Sequence, residues 1–265
     1  MIRLACLVFS CAALLAGAPA QAWGPLGHRV SAAIAERNID GKTRAHVVSI
    51  LGTTGLAEVS TVPDEQRNNP DPFWQGAAGW HRTQVPRGAD IANAMSRAEG
   101  DSLVALDWAV ATLRDPVSGE INRRRALAFV VHLVADTHLP VHFNAEHWGG
   151  GDFPVNWFGR ETTMHWAFEE GLPLQKQLSA SEYADQLSRN TTSVETIDWW
   201  TADPQVWMRE SLAMRERLYA EVEASEQPMQ LGYQFVYDWT PDMELRLRQS
   251  GIRLAAYLDW IFADD

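Results

Sequence analysis

Apolar residues in the middle of the chain recur every three to four positions: Leu127, Val130, Val131 and Val134 lie within a segment running from Arg123 to Asp136. That spacing is the stripe a helix turns toward a core. Similar patterns cover Leu26 to Asn38, Gly41 to Leu51, Ala89 to Leu113 and Ser181 to Arg189. Asp203-Pro204 and Thr240-Pro241 each place a capping side chain before a proline, which predicts the starts of two long C-terminal helices. Trp148 to Gly159 breaks the helical rhythm with glycines and alternating apolar residues, and predicts a short β-hairpin or loop near 148–160. Pro140 ends the helix that carries Asp136, so helical geometry does not extend to His142. The pattern predicts a mainly α, single-domain, multi-helix fold, with no linker or repeat to divide it.

The first residues follow another rule. Arg3, an apolar run from Leu4 to Leu15 and then Ala20-Gln21-Ala22 form the pattern of a cleavable signal peptide, so residues 1–22 are expected to be removed and residues 23–265 to form the domain. The run is shorter than the about 20 residues that span a bilayer, and no membrane anchor is expected. A secreted or periplasmic protein follows. Both cysteines, Cys6 and Cys11, lie in the removed segment, so no disulfide can staple the mature fold. Loss of Arg3 shifts the formal net charge from −12 to −13. So acidic a chain lacks the broad basic face of a duplex-DNA binder, and any polyanionic substrate must be gripped locally. No stable protein partner is implied, and a monomer is expected.

The candidate chemistry is concentrated in two short motifs, His132-x3-Asp136-x5-His142 and His165-x3-Glu169. Residues four apart on a helix differ by about 40° around the axis, so each His/acid pair puts a nitrogen and an oxygen on one face. Imidazole with carboxylate and without thiolate suits Zn²⁺ with an open coordination position. After signal cleavage Trp23 would be the first residue, and its α-amine and carbonyl could chelate a metal together with His28. Asp64 and His81 are further candidates.

In this order the motifs resemble the secreted single-strand-specific zinc nucleases with 3′-nucleotidase activity and, more distantly, the zinc phospholipases C. The resemblance covers nearly the whole mature chain and implies the mainly helical fold of that superfamily. It implies three Zn²⁺ ions: one held by Asp64, His81, His132 and Asp136; a second by the Trp23 amine and carbonyl, His28 and a shared Asp136; a third by His142, His165 and Glu169. It also implies catalytic roles for Asp64, Arg67 and Asp136, with Arg67 reaching the phosphate. Three positions depart from the family pattern. Glu169 stands where its nucleases have Asp, Gln84 replaces an acid, and Asp152 replaces an asparagine on the substrate path.

The implied activity is a tri-zinc endonuclease cutting single-stranded DNA and RNA to 5′-phosphate products. A phospholipase C is the alternative, with Glu169 leaning that way, and a zinc-storage protein is the third reading. His46 and His147 are expected to be bystanders, and His138 to support the ligands from behind. Of the twelve tryptophans, Trp199, Trp200, Trp207, Trp239 and Trp260 are expected in the core.

Overall fold

The computed structural model describes residues 24–95, 100–144 and 153–263. Expectations for residues 1–22, Trp23, His147, Asp152 and the glycines before Phe153 lie outside them. The chain order is α1 (Pro25–Asn38), α2 (Gly41–Leu51), the single turns α3 (Leu56–Val59) and α4 (Val62–Glu65), α5 (Pro72–Gly76), β1 (Thr83–Gln84), α6 (Ser102–Arg114) and α7 (Glu120–Asp136). Then come β2 (Phe143–Asn144), β3 (Pro154–Trp157), β4 (Arg160–Thr163), α8 (Met164–Trp166), a π-helical turn (Ala167–Gly171), α9 (Leu172–Leu174), α10 (Ala180–Arg189), α11 (Ser193–Trp199), α12 (Pro204–Ala224), β5 (Met229–Leu231) and α13 (Tyr233–Ile261). The mainly α expectation holds.

Two large apolar clusters and a smaller third, around Val85, Phe143 and Met208, form the interior of the described residues. One large cluster gathers α2, α6, most of α7 and the end of α13; the other gathers α8, α10, the hairpin and the first half of α13. α1 contributes to both, and α7 passes from one to the other between Val134 and Ala135. The sequence suggests a one-sided stripe on α7, yet every residue from Ala126 to Asp136 is buried. A helix enclosed on all sides is a fixed post, and its last turn carries His132 and Asp136.

Several boundaries differ from expectation for local reasons. No continuous helix fills Ala89 to Leu113: a 3₁₀ turn at Ile91–Asn93 is followed by α6, which starts where the Asp101 carboxylate accepts from the amides of Leu103 and Val104. Such a side-chain cap competes with helix continuation. Thr240-Pro241 starts no helix, for Pro241 lies inside α13, which begins after Gly232. Phe235, Trp239, Met243 and Leu247, each four residues from the last, are all buried on one stripe across the proline. That burial offsets the hydrogen bond the ring forfeits. The hairpin is β3–β4, turned at Phe158 and Gly159, both at positive φ, with β5 added parallel to β3. Trp207 and Trp239 are core residues as expected and Trp199 is half-buried, whereas Trp200 and Trp260 are exposed; Trp260 is stacked on Tyr257 beneath the Arg114 guanidinium.

The most extensive helix pairing joins α1 to α13. The Ser31 and Ser250 hydroxyls meet there at 2.8 Å, and a Cβ added to Gly251 would lie 2.5 Å from Ile34 Cβ and 2.9 Å from the Ser31 carbonyl. Only a glycine lets the helices approach so closely, and α1 carries His28. Gly251→Ala is therefore expected to overpack this seam and lower the unfolding free energy by about 1–3 kcal/mol. Urea unfolding checks this; an unchanged midpoint would show that the seam relaxes freely.

Candidate metal centre

Six separate stretches converge at the C-terminal end of α7. α1 brings His28, the turn around α4 brings Asp64 and Arg67, the segment after α5 brings His81, and α7 itself brings His132 and Asp136. A 3₁₀ turn at Pro140–His142 brings His142, and α8 with its π continuation brings His165 and Glu169. His165 and Glu169 were expected one turn apart on an ordinary helix; the pair instead lies where an α-turn, capped by Thr163, passes into a π-turn. Both side chains still share a face and touch.

Among the described residues three groups result, each with its donor atoms mutually close: His28, His132 and Asp136; Asp64, His81 and His132; His142, His165 and Glu169. Asp136 turns its two oxygens to different partners. Oδ1 lies 3.4 Å from His28 Nε2, while Oδ2 lies 3.2 Å from His132 Nε2, 3.3 Å from His81 Nδ1 and 3.8 Å from His142 Nδ1. Asp64 Oδ1 sits 3.9 Å from both His81 Nδ1 and His132 Nε2, and accepts from Arg67 Nη2 at 2.7 Å.

Backbone carbonyls fix the ring tautomers. His132 Nδ1 donates to Ser60 O at 2.7 Å, and His142 Nδ1 donates to His81 O at 2.7 Å. Each proton assigned to Nδ1 leaves a lone pair on Nε2. The His132 lone pair then faces His81 Nδ1 at 2.9 Å and the Asp136 carboxylate, and the His142 lone pair faces Glu169 Oε1 at 2.9 Å. Lone pairs at such distances repel unless a cation lies between them. His28 Nδ1 and Nε2 and Asp136 Oδ1 are buried without a hydrogen-bond partner among the described residues. Buried polar atoms are normally paired, so orphans facing one another mark a place for an ion. Imidazole nitrogens and carboxylate oxygens without thiolate are the donor set of an open zinc site, and the residues present fit that metal.

Protonation balances agree. Burial, reinforced by His132, holds the His28 imidazole well below its ordinary range, and burial also lowers His81. At His132 burial opposes the charge, but Asp136 and Asp64 outweigh it and push the ring up to about 9. Burial would raise the Asp136 carboxyl, yet the His132 and His142 charges keep it well below the usual carboxylate range. Without metal, the Asp136 charge is thus balanced by a proton on His132, which a metal must expel to bind.

His46 lies on α2, stacked on Phe262, apart from the three groups. His138 supports a different neighbourhood from the one expected. Its Nδ1 donates to Val134 O, its Nε2 lies 3.2 Å from Arg253 Nη1, and its ring stacks on Trp207, so it braces the turn after Asp136 against α12 and α13. The same turn is held by Ser211, which donates to Thr137 O, and by buried Arg246, which donates to His138 O. Arg215, also buried, donates to Val85 O at 2.7 Å and to Phe143 O at 3.4 Å, next to the parallel β1–β2 pair that joins the His81 and His142 segments. Sequence reasoning missed these arginines, although charged residues at buried-face spacing on α12 and α13 were a signal. It also missed Arg82, whose Nη2 lies 3.4 Å from His165 Nδ1 and whose signal was adjacency to His81. The Ser60 carbonyl left none, because every residue has one.

The sequence model of the S1/P1 nuclease family matches residues 23–263. The chain is 27% identical to nuclease S1 of Aspergillus oryzae over 90% of its own length and 91% of that protein's. It is 24% identical to nuclease P1 of Penicillium citrinum, covering 92% of this chain and 99% of the relative, and 25% identical to endonuclease 2 of Arabidopsis thaliana, covering 91% and 90%. A family match over almost the whole chain and a buried imidazole–carboxylate centre lead to one assignment: the chain belongs to the S1/P1 nuclease family.

Proposed function

We propose that this S1/P1-family hydrolase is a tri-zinc endonuclease, secreted or periplasmic, which cuts single-stranded DNA and RNA to 5′-phosphate products and also acts as a 3′-nucleotidase. The observation that carries the reading is Asp136, a fully buried carboxylate whose two oxygens face different imidazoles. Under this reading one ion takes Asp64, His81, His132 and Asp136, and another takes His142, His165 and Glu169. The remaining ion takes His28, Asp136 and the α-amine and carbonyl of Trp23. Removal of residues 1–22 would free that amine. The family match begins at residue 23, and the Gly24 amide donates to the Glu169 carbonyl at 3.1 Å, beside the third group. Glu170's carboxyl lies so close that a Cβ on Gly24 would meet it at 2.3 Å, so a larger residue at this entry to α1 would turn the Glu170 side chain aside.

Zinc held by these residues supplies Lewis acidity and an acidified water for attack on phosphorus. The chain's own groups then divide the remaining work. Arg67, tethered to Asp64 at the partly exposed edge of the centre, offers a guanidinium to the phosphoryl oxygens as charge grows there. Asp64 holds that guanidinium and orients the attacking water. Asp152 is assigned to the substrate path. The ligand side chains are almost wholly buried, so a phosphate must enter a recess, which a flexible single strand does more easily than a duplex. A strongly acidic protein needs this local positive centre to hold a polyanion at all. The relatives named above are nucleases, and the phospholipase C reading is set aside. No helix among the described residues is long and apolar enough to cross a membrane.

Assayed side by side, single-stranded polynucleotide is expected to yield 5′-mononucleotides faster than duplex, while phosphatidylcholine vesicles release no phosphocholine. Hydrolysis of the lipid alone would sink the nuclease reading. Asp136→Asn is expected to lose zinc from two positions and to lower kcat/KM by more than the about 10–100-fold typical of disturbing a ligand's hydrogen-bond partner. Glu169→Asp, which keeps a carboxylate, is expected to lose less; the reverse order, measured by metal analysis and turnover, would overturn the shared role of Asp136. Protein retaining residues ahead of Trp23 is expected to bind one ion fewer and to lose most activity. Equal zinc content in processed and extended protein would remove the α-amine from the ligand set.

A further inference from the structure

On the far side of α4 from the metal centre, the packing leaves a cleft of about 390 Å³. Val62 and Gln66, four residues apart, share the face that lines it, while Asp64 between them points the other way. Leu51, Val59, Trp74 and Ala128 make the rest of the lining chiefly apolar, and Ile121, 68% exposed, stands at the lip. A cavity of this size, apolar inside with a few polar groups at its edge, has the form of a small-molecule site.

The charges at the edge differ in how firmly they are engaged. Glu58 accepts from the Gly55 amide at 2.7 Å and serves as the cap of α3. Arg125 is bridged to Asp71 at 2.6 Å and lies over the Phe73 ring at 4.3 Å. Among the described residues Arg124 pairs only with the Glu120 carboxylate, 3.8 Å away across exposed surface, an ion pair of a kind that contributes little. Its guanidinium can turn toward an anion at the mouth with small loss.

We propose that this cleft is a second binding site, separate from the metal centre, for a small flat aromatic molecule bearing one anionic group. The ring lies against Trp74, Val59 and Val62, and the anion meets Arg124. An occupant would press on the two valines that flank Ser60 and precede Asp64. Ser60 holds His132 through its carbonyl, so the site touches the segment that shapes the metal centre without sharing any ligand with it.

The probe is anilinonaphthalene sulfonate, an aromatic anion whose fluorescence rises in apolar surroundings, titrated into the intact folded protein. Saturable binding at one site is expected. Arg124→Glu, on the exposed lip, should weaken it at least about tenfold. Ala128→Phe should occupy the cleft and abolish binding. Ile197→Ser, at an exposed apolar position on α11, should leave the affinity unchanged. Unaltered affinity in Arg124→Glu, or loss of binding in Ile197→Ser, overturns the proposal; should Ala128→Phe fail to fold, Arg124→Glu decides it.

Discussion

A carboxylate buried at the negative end of a helix is the constraint on which the rest of this molecule turns. Asp136 is the last residue of α7, fully enclosed, where the aligned peptide dipoles of the helix already place negative partial charge. Isolated there, an ionised carboxylate would be too costly to bury. It is tolerated because His28, His81 and His132 approach its two oxygens and because the site is built to receive cations. The feature least favourable to the bare fold is the one that suits it to a metal ion.

Holding four imidazoles around one carboxylate demands rigidity, and the residues assigned to the domain contain no cysteine to supply it through disulfides. The rigidity comes from enclosure and from buried arginines. α12 and α13 contribute none of the candidate ligands, yet Ser211, Arg215 and Arg246 satisfy backbone carbonyls on the stretches that lead into and out of the centre. Arg246 shows what this costs: burial lowers its guanidinium to about 10. Glu210 compensates by bridging Arg246 and Arg253. Guanidinium suits the task because its fixed fork of donors reaches several carbonyls at once.

The electrostatics of surface and centre are opposed. The chain is acidic overall, but its centre gathers histidines whose tautomers are set by Ser60 and His81 carbonyls, so lone pairs point inward. Repulsion among those lone pairs, and the orphaned atoms of His28 and Asp136, are relieved only by cations. Under the proposed tri-zinc reading the ions would draw a polyanion to one recess while the acidic surface repels it, which would favour strands that can bend into that recess.

The fold class, α1, α2 and α10, and the start of α12 at Asp203-Pro204 were legible in the sequence, because caps and apolar spacing are local signals that survive in any context. Thr240-Pro241 misled because a continuous buried stripe outweighed the proline, and Ala89 to Leu113 misled because Asp101 offered a stronger local cap. Of the candidate site, the spacings within His132/Asp136 and His165/Glu169 reported real neighbours, since residues four apart must share a helical face. By itself the sequence determined which side chains were available and which pairs were local. Only the tertiary structure decided that stretches far apart in the chain meet at the end of α7, that the two oxygens of Asp136 look in different directions, and that Ser60 and Arg215 hold the arrangement. Those facts depend on packing between distant segments and on backbone carbonyls, neither of which leaves a pattern in the order of residues.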